Sequence, residues 1–146
     1  MTVREHADSL FALLSSKLGE GVLALDDAGS ALFSIGDTLF TAGLDEEAEI
    51  LVLSGFIGQL PAGYSREKSL RELAQANFNW GGTGGGAIGL ERNTDFVYLH
   101  QRFFLPLPAP EEFPGLFANQ LSLTRHWAGV LEEMAAPPDV ASAIRV

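Results

Sequence analysis

A chain of 146 residues, 47% apolar with ten Phe, suits one domain with a sizeable core and excludes disorder of the whole. Nine Lys and Arg against nineteen Asp and Glu leave a net charge of −10, without the cationic footprint that nucleic acid or an anionic membrane surface requires. The absence of Cys removes disulfides, thiolate metal sites and cysteine nucleophiles, and is consistent with a reducing cytosol.

Residues from about Thr2 to Leu18 read as an amphipathic helix, with Val3, Ala7, Leu10, Leu14 and Leu18 recurring at spacings of three to four. Gly19 stands where such a helix stops. The first apolar run, Leu10 to Leu14, is short and follows Glu5 and Asp8, so no secretory signal is read there. Phe11 and Leu13 widen the apolar face beyond one buried stripe, which suits a helix covered on two sides or an exposed binding face.

Four strand-like segments follow: Val22–Asp26, Ala31–Ile35, Thr38–Ala42 and Ala48–Ile57. Asp27-Ala28-Gly29, Gly36-Asp37 and Asp45-Glu46-Glu47 connect them, the second with Gly first as a type II′ turn prefers. Connections this short imply sequential antiparallel strands. Runs such as Ile50-Leu51-Val52-Leu53 place apolar residues on both alternating faces. Such a sheet needs cover on both sides, from its own helices, a second subunit or a bound partner.

Pro61-Ala62-Gly63 breaks the strand pattern, and Ser65 is positioned to cap a helix over roughly Arg66–Phe78. The uncharged stretch from Leu73 to Leu90 is as long as a membrane span, but its glycines, Asn, Gln and Thr make insertion implausible. Strands at Ala87–Leu90 and Phe96–Phe103 then form a hairpin through Glu91-Arg92-Asn93-Thr94. Pro106, Pro108 and Pro110 mark an extended connector. A last helix runs from Pro110 or Pro114 to Met134, with Phe113, Phe117, Leu121, Trp127 and Leu131 as core positions. The expected architecture is α+β, in the order α-β-β-β-β-α-β-β-α, with helices packed on a twisted antiparallel sheet. Residues 1–134 are expected to form a single domain, and 135–146 a frayed tail.

Gly82-Thr83-Gly84-Gly85-Gly86-Ala87 fits the loose form of a dinucleotide fingerprint. That mechanism needs a strand before the glycines and a helix after them, so that phosphate meets a helix N-terminus. Here the predicted order is the reverse, and no Gly-Lys-Ser/Thr of a P-loop is present. A flexible crossing that lets the chain pass close to another backbone is the better reading. His6, His100 and His126 fall on three different elements, and no Gly-x-Ser-x-Gly elbow supplies a nucleophile. The residues point away from catalysis, metal and cofactor, and towards binding.

The order of segments from about residue 5 to 133 resembles the class I type III secretion chaperones, the family of the Tir chaperone. The features that carry it are Leu18-Gly19 at the end of the opening helix, Leu23-Ala24-Leu25-Asp26-Asp27-Ala28-Gly29, and Gly58-Gln59-Leu60-Pro61. Ala76-Asn77-Phe78-Asn79-Trp80 before the glycines, the strand at Val97-Tyr98-Leu99, and Arg125-His126-Trp127 in the last helix complete the set. Five of the six residues from Gly81 to Gly86 are Gly, more than the family pattern requires, which leaves the start of the next strand open.

The resemblance implies a cytoplasmic, non-catalytic homodimer without a cofactor. Such a protein binds the extended N-terminal chaperone-binding segment of a type III secreted effector and keeps it soluble and competent for export. Carried over residue by residue, it implies a dimer interface at Leu70, Leu73, Asn77, Phe78, Trp80, Ile88 and Leu90. It also implies an effector surface at Leu10, Leu14, Leu23, Leu25, Leu51 and Leu53. The secretion ATPase or sorting components are further candidate partners. The rival readings are an adaptor of the secretion apparatus and a nucleotide-binding enzyme using Gly81–Gly86.

Overall fold

A computed structural model describes residues 1–19 and 21–135. Helix α1 (Val3–Leu18) leads into strands β1 (Ser30–Ile35), β2 (Thr38–Asp45) and β3 (Ile50–Gln59). Helix α2 (Ser65–Ala76) and a 3-10 turn at Phe78–Trp80 precede the hairpin of β4 (Ala87–Leu90) and β5 (Phe96–Phe104). A 3-10 turn at Pro110–Glu112 then opens helix α3 (Phe113–Ala135). The five strands form one antiparallel sheet in the order β1-β2-β3-β5-β4. The fold is α+β, as expected. Of the predicted tail, Ala135 closes α3 and residues 136–146 lie outside the described residues.

The ends of α1 follow from its sequence. Thr2 Oγ1 accepts from the Glu5 N–H at 3.1 Å and Glu5 Oε2 accepts from the Thr2 N–H at 2.9 Å, a reciprocal capping box. Gly19, at φ +68°, takes the left-handed conformation that ends the helix and donates its N–H to Ser15 O.

Three expectations need correction. Val22–Asp26 is not a strand, so the order is α-β-β-β-α-β-β-α. Its backbone is engaged by α1 instead: the Leu23 N–H donates to Ser15 Oγ at 2.8 Å, and Arg4 Nη2 donates to Leu25 O at 3.0 Å. Side-chain partners have replaced a ladder. Ser65 is the first residue of α2 rather than its cap, and the preceding Tyr64 makes no side-chain capping bond. That helix also stops at Ala76, short of Phe78, because Asn77 turns its amide to β4 and Asn79 and Trp80 adopt positive φ of 52° and 55°.

The three described helices all pack on one face of the sheet. Leu10, Phe11 and Leu14 of α1 and Phe113 and Phe117 of α3 join Phe40, Leu51, Leu53 and Phe103 in one buried cluster. Leu73 and Ala76 of α2 and Trp127 and Leu131 of α3 join Ile57, Ile88, Val97 and Leu99 in a second. Between the clusters α3 presents a polar turn. Gln120 Nε2 donates to Leu53 O at 2.8 Å and to Leu99 O at 3.1 Å, tying the helix to β3 and β5 together. Thr124 lies against Gly55, where a Cβ would stand 2.3 Å from Thr124 Oγ1. Only glycine lets the helix come this close.

Gly55→Ala should therefore lower the free energy of unfolding by about 1–3 kcal/mol, the range of core overpacking. Adding Thr124→Ala to that variant should restore part of the loss, as read from urea unfolding curves.

Candidate interaction site

The glycine run passes under α3 rather than around a ligand. Trp127 Nε1 donates to Gly82 O at 2.7 Å, and a Cβ on Gly82 would lie 2.9 Å from both Ala76 Cβ and Trp127 Cζ2. Buried Thr83 closes the loop with a 2.7 Å bond from Oγ1 to Gly86 O. Gly86 rests on the next strand, where a Cβ would meet His100 O at 2.3 Å. A 3-10 turn precedes the glycines and a strand follows them, so no helix N-terminus faces them. Among the described residues, no group of three or more His, Asp and Glu is placed to hold a metal ion.

The residues expected at a dimer interface gather at one end of the molecule, in two layers. Leu73 and Ile88 are 5% and 9% exposed and belong to the core beside Trp127 and Leu131. Asn77 acts as a substitute strand: its Nδ2 donates to Ile88 O at 3.0 Å and its Oδ1 accepts from the Ile88 N–H at 2.8 Å. That bidentate amide closes the outer edge of β4. Leu70 and Leu90 beside this base are 39% and 46% exposed, and Phe78 and Trp80, on the turn after α2, are 75% and 62% exposed. A groove of about 150 Å³ between α2 and β4 is lined by Leu70, Ala74, Asn77 and Leu90 among others. Trp80 is exposed and has a positive φ of 55°, a left-handed conformation that costs about 1–2 kcal/mol for a residue with a Cβ.

The residues expected to hold an effector are placed differently. Leu14, Leu25, Leu51 and Leu53 are core residues with almost no exposed surface in this conformation: Leu14 is on the buried side of α1, Leu25 is on the segment after it, and Leu51 and Leu53 are on the face of β3 beneath α1 and α3. Leu23 is half-buried at the rim of the same cluster. Leu10 is 3% exposed but lines a cleft of about 480 Å³ with Leu13, His6, Leu105, Pro106 and Leu107, between α1 and the connector to α3.

The sequence predicted that both faces of the sheet need cover, but none of the candidate site residues was placed on the outer one. None of the described helices covers it. Phe56 contacts Phe96 and Tyr98 at centroid separations of 5.5 and 5.3 Å, and Tyr98 stacks on His100 at 6.0 Å. Leu32 and Phe104, on the same face, are 70% and 61% exposed. The signal was present in the alternation of β5, where Phe96, Tyr98, His100, Arg102 and Phe104 share a parity. His100 bonds Ser54 at 2.7 Å across the β3–β5 pair, and burial lowers its pKa below the ordinary histidine value. Burial, and then the charge of Glu91, raise that of Tyr98.

Residues 9–128 match the Tir chaperone protein (CesT) family. No curated protein matches the sequence. Among solved structures, the fold is similar to a chain of the ExsC–ExsE complex, with a TM-score of 0.75 and 24% identity over 90% of this chain and 97% of that one. It is also similar to a chain of the HopA1–SchA chaperone–effector complex, at 0.63 and 20% over 89% and 95%. A third likeness is to a chain of the complex of the Yersinia pestis type III secretion chaperone SycH with a stable fragment of YscM2, at 0.58 and 18% over 85% and 98%.

The lowered pKa of His100 gives a signed expectation. The folded state favours the neutral ring, so the unfolded chain binds the extra proton more readily. Stability from this group is whole above the usual value of 6.5 and falls as the pH drops below it. His100→Gln should lessen the stability lost between about pH 7 and 5.5, measured as the urea midpoint against pH.

Proposed function

As a member of the Tir chaperone protein (CesT) family, the chain is a type III secretion chaperone that keeps an effector soluble and competent for export, and we propose that it works as a homodimer. The observation that carries the dimer is the set of exposed apolar side chains Leu70 on α2, Phe78 and Trp80 on the turn after it, and Leu90 on β4, with Leu70 and Leu90 lining one groove over Leu73, Asn77 and Ile88. A patch of this kind on a soluble protein marks an interaction surface. Fully burying a Leu or Phe side chain is worth about 1.5–3 kcal/mol, so a symmetric contact using each of these residues twice is strongly favoured.

The client's extended N-terminal segment is then held on apolar surface that the dimer leaves free. Two regions suit it: the cleft between α1 and the Pro106 connector, and the outer sheet face with Leu32 and Phe56. Leu10 belongs to the first directly, while Leu14, Leu23, Leu25, Leu51 and Leu53 support these regions from beneath. Extended segments bind in this manner by adding main-chain hydrogen bonds at sheet edges and placing alternate side chains in grooves. Ordering the client costs about 1–2 kcal/mol per residue, which offsets much of the apolar gain and keeps binding releasable.

The reading includes no catalytic step and no cofactor, and it places the protein in the bacterial cytoplasm. None of the described helices is long and apolar enough to cross a membrane, which agrees with that placement. The secretion ATPase or its sorting components would receive the loaded complex.

In solution the protein should have twice the 15.6 kDa mass of one chain at micromolar concentration. Leu70→Asp combined with Phe78→Ser should halve that mass and leave the circular dichroism spectrum intact, because both side chains are exposed in the single chain. A variant that stays dimeric would move the interface elsewhere. Leu73→Asp is unsuitable for this test, since it would place a charge in the core.

A further inference from the structure

The glycine run leaves a gap in the sheet. Strand β4 opposes β5 only from Ala87↔His100 to Leu90↔Val97, because the chain before Ala87 turns away under α3. The direction of each β5 amide follows from the ladder. Asp95 O accepts from Leu60 and Leu105 N–H donates to Glu49 O, so odd-numbered residues face β3; Phe96 O accepts from Glu91, so even-numbered residues face β4. Arg102 and Phe104 therefore aim their N–H and C=O groups at the place β4 does not reach, and among the described residues neither has a hydrogen-bond partner there. An open strand edge of this kind is a template for pairing.

Cavities flank the edge on both faces of the sheet. Towards α3 lies one of about 420 Å³, lined by Gln101, Phe103, Leu116, Asn119 and Leu123 among others. On the outer face lies one of about 410 Å³, lined by His100, Arg102 and Phe104 among others, with Trp80 at its border with the proposed dimer surface. A strand alternates its side chains between two faces, so an added strand would fill both cavities at once.

We propose that the edge of β5 at Arg102–Phe104 is a docking slot for one extended segment of a client protein. The segment carries apolar side chains at positions facing α3 and an acidic one opposite Arg102. The proposal rests on the chaperone reading and names one place where the client binds. Among the described residues Arg102 is the one permanently charged side chain lining either cavity, which sets the sign of its partner.

A second copy of the chain does not fit the slot. Antiparallel self-pairing of Arg102 with Phe104 would place the second copy's Pro106 opposite His100, where Ala87 already sits. Shifting to pair Phe104 with itself would place that proline opposite Arg102, where it has no N–H to donate. A single extended chain meets neither obstacle.

The test uses the synthetic peptide Thr-Val-Thr-Val-Glu-Val-Thr titrated into the 15N-labelled full chain. The expected result is saturable NMR shifts centred on Arg102 and Phe104, with amide exchange there slowed by about tenfold or more. Phe104→Pro removes an N–H that faces away from β3, so the ladder is kept and peptide binding should weaken by about tenfold. Arg102→Glu, an exposed substitution that does not depend on that variant folding, should reverse the preference towards the same peptide with Lys in place of Glu.

Peptide shifts that are absent or map elsewhere overturn the slot, as does equal binding by Arg102→Glu of both peptides. Protection of these amides in the free protein that vanishes on dilution assigns the edge to a second copy and also overturns it. In the native host, a secreted client retained undiminished by Arg102→Glu contradicts the slot and leaves the chaperone reading standing. Absence of a secreted client from the wild-type protein contradicts the chaperone reading itself.

Discussion

The close crossing of α3 over β3 at Gly55 is the constraint on which the rest of the molecule depends. Thr124 occupies the space a side chain at Gly55 would need, and Gln120 spans the carbonyls of Leu53 and Leu99. With that contact fixed, the first half of α3 delivers Phe113 and Phe117 to the cluster under α1, and the second half delivers Trp127 and Leu131 to the cluster under α2. The one helix thus aligns both. Trp127 then anchors the glycine loop through Gly82, and the loop sets where β4 begins. The exposed end formed by α2 and β4 is positioned by a contact at the centre of the sheet.

Among the described residues every helix lies on one side of the sheet, and none covers the other side. Phe56 packs on Phe96 and Tyr98 there, with no covering element among the described residues, and the three remain only partly shielded. A chaperone needs apolar surface that stays soluble until a client arrives, and a net charge of −10 favours solubility in the meantime. The sheet edges divide the same way: Asn77 closes β4 at Ile88, while among the described residues nothing pairs with β5 past His100 on that side.

Much of this was legible in the sequence, and the failures have physical causes. Helix α1 could be placed from its 3.6-residue period and from Gly19, and the β1–β2 hairpin from Gly36-Asp37, because local chemistry decides both. Val22–Asp26 was misread as a strand because its alternation is real, but Ser15 and Arg4 claim its backbone from another element. Burial of Leu51 and Leu53 could not be assigned to a face, since both strand parities are apolar and only the position of α3 decides between them. Reading the glycines as a close crossing succeeded because it asked what lies on each side of them. That the crossing would leave Arg102 and Phe104 unpaired depends on where β4 starts, which glycine-rich sequence does not fix.

The central claim is that two copies of this chain together hold one unfolded segment of a secreted protein. Native mass spectrometry of the protein purified from its own host tests it most directly. The account predicts an assembly of two copies with one secreted protein bound, from which mild proteolysis leaves an N-terminal fragment of the client attached. A single copy without a client, or two copies carrying only components of the secretion apparatus, would contradict it.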